Sequence, residues 1–169
     1  VKVTDFGLAT LADAGGFGAA GGGTIGYMPL EQMRGVSLDA RCDEWALASF
    51  TYGMLAGENP FLAPDLARAE SAIEDAELVL PSLCWDELDP AVDDVVFYAL
   101  DPDREQRYDN VTDFAEEMEK FLGDPRTGHR ELAVIVGDAQ GDDEAEEEER
   151  APHPPRPPRV PLRERITRR

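Results

Sequence analysis

The sequence predicts a mainly α-helical domain followed by a long tail with no core of its own. Three observations predict it. Between Asp43 and Leu122 the apolar residues recur at helical spacing or surround a helix, with start and stop residues at the ends of these stretches. Alternation suited to a strand is confined to short pieces such as Val1–Thr4. From Asp138 onward the composition is an acidic run and then a proline- and arginine-rich end, which cannot bury enough apolar surface to fold. The chain of 169 residues is long enough for one domain with a real core. Folded structure is therefore expected over 1–125, an extension over 126–137, and a disordered tail over 138–169.

The elements follow in order. After the short strand at 1–4, the chain reads as a loop from Leu8 to Gly26, and six of the nine residues from Gly15 to Gly23 are glycine. Such a run carries high backbone entropy. The stretch DEWALASFTYGMLAGENP, from Asp43 to Pro60, has apolar residues all round and reads as a buried helix, stopped by Gly57 and Pro60. Asp65–Val79 reads as a more exposed helix capped by Asp65. Asp89 and Pro90 open the next helix, whose Val92, Val95, Val96, Ala99 and Leu100 share a face. The last helix, near Val111–Leu122, aligns Val111, Phe114, Ala115, Met118, Phe121 and Leu122, and Gly123 and Pro125 end it. Leu132–Val136 is a small strand or a segment packed on the domain. Pro152–Pro161 holds six prolines and is expected to be extended and stiff.

Charge narrows the function. The net charge is -20, which argues against nucleic acid as a partner. It is unevenly spread: residues 1–149 carry nine basic against 35 acidic side chains, and the last twenty residues carry seven arginines and one glutamate. Cys42 and Cys84 have no metal-type spacing and suit a reducing cytoplasm as small hydrophobes. His129 and His153 are isolated and are assigned no site. No apolar stretch of about 18 residues exists to span a membrane.

Chemistry enters through four motifs in order: DFG at 5–7, GTIGYMPLEQ at 23–32, RCDEWALASFTYGMLAGENPF at 41–61 and ALDPDREQRY at 99–108. This ordered set resembles the distal part of a serine/threonine protein kinase domain, most of all the bacterial kinases of eukaryotic type. The resemblance covers about residues 1–122. It implies the helical C-lobe of the kinase fold, ATP and Mg²⁺ as cofactors, protein substrates, and a role in signalling. Asp5 corresponds to the ligand that holds Mg²⁺ against the nucleotide phosphates, and Gly7 gives the backbone freedom to swing it. Thr24 matches the threonine of the substrate-holding loop. Glu31 matches a glutamate that forms a buried ion pair, with Arg107 the expected partner and Arg104 the alternative one step out of register. Asp43 matches an aspartate that opens the central helix and accepts backbone N–H bonds from the catalytic loop. MPLE stands where the family has Met-Ala-Pro-Glu, so Pro29 and Leu30 leave the local backbone open. Between Leu11 and Gly23 there is no Ser, Thr or Tyr. No activating phosphate is expected in that window, where many kinases order the loop by pairing one with arginines.

The resemblance also says what the 169 residues do not contain. A glycine-rich phosphate loop, a strand lysine and a His-Arg-Asp catalytic loop with its asparagine are expected upstream of Val1. No catalytic residue is therefore assigned within this chain, and the chain by itself is expected to be inactive. Two other readings stand beside the kinase one: a stand-alone lobe that binds partners without catalysis, and an unrelated acidic helical domain. The arginine-rich end would suit the cytoplasmic side of a membrane tether only if the chain continues beyond Arg169.

Overall fold

Helices follow from their local signals. In the computed structural model, which describes residues 25–123 and 157–161, five α-helices pack around one core and a short two-stranded sheet lies at its edge. The helices are α1 (Leu30–Met33), α2 (Arg41–Ala56), α3 (Leu66–Asp75), α4 (Ala91–Ala99) and α5 (Val111–Glu119). The strands are β1 (Glu77–Val79) and β2 (Arg159–Pro161). Asp65 caps α3 by accepting the Arg68 N–H at 2.9 Å. Asp89 accepts the Ala91 N–H at 2.9 Å at the start of α4. Asn110 accepts from Thr112 and Asp113 at the start of α5. Gly57 ends α2 with φ of 76°, a left-handed conformation that glycine adopts without steric cost.

The core forms where α2 meets α4 and α5. Trp45, Ala48 and Tyr52 of α2 are buried against Val92, Val95, Val96 and Ala99 of α4 and Phe114 of α5. Phe61 closes the near end, with its ring centroid 5.2 Å from that of Trp45. Tyr108 bridges the far end, edge-on to Tyr98 at 4.7 Å. The face expected for α4 meets the core, with Val92, Val95, Val96, Ala99 and Leu100 buried. On α5, Phe114 is buried and Met118 and Phe121 pack partly against the core. The helix stops at Glu119, however, and Leu122, expected on the same face, is 64% exposed.

Three expectations need correction. Asp65–Val79 is not one helix. It stops at Asp75, Ala76 turns left-handed with φ of 43°, and Glu77–Val79 runs on as β1. The reason is tertiary: β1 gains an antiparallel partner in β2, with Leu78 opposite Val160. The same pairing corrects the disordered reading of 138–169 over residues 157–161, which are extended as their prolines require but packed on the domain. The helix α2 is not buried all round, because Phe50 and Met54 are 53% and 66% exposed. The strand at 1–4, the glycine-rich loop, Leu132–Val136 and the acidic run lie outside the described residues.

Candidate functional site

Residues 25–33 form a loop and a single helical turn, fastened from below. Asn59 does part of this. Its Nδ2 donates to the Gly26 carbonyl at 2.9 Å, and its Oδ1 accepts the Phe61 N–H at 2.9 Å. Gly26 lies so close to the chain at Leu62 that a Cβ there would stand 3.0 Å from the Leu62 Cα. Pro29 is extended, with φ of -76° and ψ of 165°, and its carbonyl accepts from both Gln32 and Met33 at 3.1 Å. Leu30 is thereby driven into the core and Glu31 inward beside it. The unusual MPLE segment thus keeps a regular turn: proline supplies the extended entry, and leucine supplies the buried anchor.

Glu31 meets Arg107, as expected. The pair is bidentate: Nη1 donates to Oε1 at 2.8 Å and Nη2 to Oε2 at 3.2 Å. Both side chains are buried. The turn 101–107 aims the arginine. Asp101 accepts the Asp103 N–H, Asp103 accepts the Glu105 N–H, and Arg107 Nε then donates back to the Asp101 carbonyl at 2.6 Å. Nη2 also donates to the Pro102 carbonyl at 3.2 Å. The guanidinium lies 4.4 Å over the Trp45 ring, a cation–π contact in a desolvated site. Arg104 does not compete for Glu31. It faces outward, donating to the Ser37 carbonyl at 2.8 Å and pairing with Glu105.

A second buried glutamate enters this cluster unannounced by any motif. Glu44 of α2 is fully buried, and neither carboxylate oxygen has a hydrogen-bond partner among the described residues. Burial pushes its carboxyl up to about 8, against the pull of Arg107 and with the push of Glu31. Four of the five Arg107 N–H groups are committed to Glu31, Asp101 and Pro102, and the guanidinium makes no hydrogen bond to Glu44. The sequence signal was only a glutamate in the first turn of α2, between Asp43 and Trp45. Cys42 lies at the same spot, its Sγ 3.7 Å from Glu31 Oε1, and burial pushes its thiol up to about 11. Neither cysteine is in a disulfide, and both are half-buried.

The other expected residues distribute as follows. Asp43 lies exposed on the first turn of α2, on the same stripe as Phe50 and Met54. Asp5, Gly7 and Thr24 lie outside the described residues. Among the described residues no group of three or more His, Cys, Asp or Glu side chains could hold a metal, and no helix is long and apolar enough to cross a membrane. Of the residues that the resemblance singled out, the structure brings Glu31 and Arg107 together beneath the loop at 25–30.

Comparison with known proteins agrees. The protein kinase domain family matches residues 1–127, and the chain belongs to that family. It is 36% identical over 124 residues to the serine/threonine-protein kinase PknB of Mycolicibacterium smegmatis, covering 70% of this chain and 20% of that protein. It is 34% identical over 127 residues to the serine/threonine-protein kinase Pkn1 of Myxococcus xanthus, covering 73% of this chain and 18% of that one. The chain thus spans about a fifth of the length of these bacterial serine/threonine kinases.

Proposed function

We propose that the protein carrying this lobe transfers the γ-phosphate of ATP to serine or threonine residues of other proteins, as a cytoplasmic step in signalling. The observation that supports this most is the Glu31–Arg107 anchor beneath residues 25–30. A buried bidentate pair is a costly way to hold a surface loop, and it suits a loop that must present Thr24 and its neighbours to a peptide in one geometry. In this reading Asp5 would hold Mg²⁺, which when bound would supply charge neutralisation for phosphoryl transfer. Gly7 lets Asp5 swing, Thr24 contacts the substrate residue, and Asp43 supports the catalytic loop. The grip on ATP and the base come from residues outside these 169.

A second reading rests on the exposed stripe of Phe50 and Met54 on α2. In a non-catalytic lobe this apolar face would serve to bind a partner. Phosphate transfer from ATP by the product of the whole reading frame separates the two. The kinase reading expects phosphoserine or phosphothreonine on a protein substrate, and Asp5→Asn to reduce the rate at least about a hundredfold. No transfer by that product under any divalent metal would leave the partner-binding reading. Transfer by residues 1–169 alone would overturn the placing of base and phosphate grip outside this chain.

A further inference from the structure

The edge of β1 is built to take an extended peptide. Tyr52, buried in the core, occupies both polar groups of Val79: its hydroxyl accepts the Val79 N–H at 2.9 Å and donates to the Val79 carbonyl at 3.2 Å. Backbone groups alternate in direction along a strand, so the N–H and carbonyl of Leu78 point the other way, towards β2. Opposite Leu78 is Val160, opposite Val79 is Arg159, and opposite Glu77 is Pro161. The central position of β2 therefore needs an N–H. Its neighbour at 161 does not, which is where the chain has proline.

Side chains repeat the selection. Val160 packs on the hydrophobic core beside Leu78. Arg159 Nη2 donates to Glu58 Oε1 at 3.0 Å. Arg159 also forms one wall of a cleft of about 340 Å³ whose other walls include Asp75, Glu77 and Arg68. The site reads an arginine and then an apolar residue with an available N–H, and it tolerates a proline after them.

We propose that the β1 edge is a docking site for extended segments in which an arginine precedes an apolar residue, and that residues 157–161 fill it in cis so as to exclude peptides of that chemistry from other proteins. Strand addition supplies backbone hydrogen bonds for affinity and pockets for alternate side chains for specificity. Attachment through residues 124–156 places the segment at an effective concentration on the order of 1 mM, enough to hold off a weak competitor. The edge is then an address on the lobe that opens only when the chain's own end is displaced.

The test uses the 169-residue chain and a labelled synthetic peptide of residues 157–165, with binding read by fluorescence anisotropy. Val160→Pro removes the one required N–H, and Arg159→Glu reverses the pair with Glu58 while leaving Val160 in place. Each variant is expected to bind the peptide at least about tenfold more tightly than the unaltered chain, because the cis occupant has been weakened. Pro161→Ala is expected to behave as the unaltered chain. Hydrogen exchange at the Leu78 amide should be slow in the unaltered chain at every protein concentration, faster in both weakened variants, and slow again when the peptide is added. Equal affinity of the altered and unaltered chains overturns the proposal, as does no binding by the altered ones. Opening by Pro161→Ala overturns the register on which it rests. Protection of Leu78 that grows with protein concentration overturns cis occupancy in favour of exchange between copies.

Discussion

Glu44 makes the stability of this lobe fall as pH rises. Its folded carboxyl sits at about 8, against an ordinary value of 4.5. A group raised in the fold contributes fully below the unfolded value and loses that contribution as pH climbs through the folded one. Each unit within this window is worth about 1.4 kcal/mol. Between about pH 5 and about pH 7 the carboxylate therefore takes roughly 2–3 kcal/mol from the folded state. Glu44→Gln keeps the shape and removes the charge. Arg107, Glu31 and Arg41 are the charged groups that act on this carboxyl, and none is altered by the change. Urea unfolding of the parent and the variant across this range gives the difference curve. The expected difference is small near pH 5 and reaches roughly 3 kcal/mol in favour of glutamine near pH 7. A flat difference, or one that moves towards the parent as pH rises, would show that Arg107 keeps Glu44 ionised in the fold, and would refute the reasoning.

Other changes probe the same region. Arg107→Met leaves Glu31 buried without its partner and should cost about 3–5 kcal/mol in urea unfolding, whereas Arg104→Ala, which lies outside the pair, should cost under about 1 kcal/mol. Glu31→Gln removes a like charge from beside Glu44 and should move the midpoint of the difference curve to lower pH. Gly26→Ala forces a Cβ against the Leu62 backbone and should lower stability by about 1–3 kcal/mol. Gly53→Ala, whose Cβ would meet Asn59 at 3.7 Å inside α2, should instead raise it by about 0.5–1 kcal/mol. Cys42, with its thiol pushed up to about 11, should resist alkylation near neutral pH until the chain is unfolded, as mass spectrometry of iodoacetamide-treated protein would report.

What the sequence by itself determined was local or motif-borne. Asp65, Asp89 and Gly57 mark helix ends because each acts on a backbone group within a few residues of itself. The face of α4 and most of that of α5 could be read because helical spacing depends only on position along the chain. The Glu31–Arg107 pair could be named in advance because the motif order carried it. Only the tertiary structure decided the rest. Nothing near Glu77–Val79 announces a strand, since its partner lies far along the chain and the edge exists only once Tyr52 has been packed. Ala76 takes a left-handed turn that its own type disfavours, because the pairing beyond it requires one. Glu44 looked like one more helix residue. Its burial beside an arginine whose bonds go to other groups depends on how α2 meets the turn 101–107. Local hydrogen bonding and periodicity are written residue by residue, whereas desolvation and long-range pairing are properties of the packed assembly.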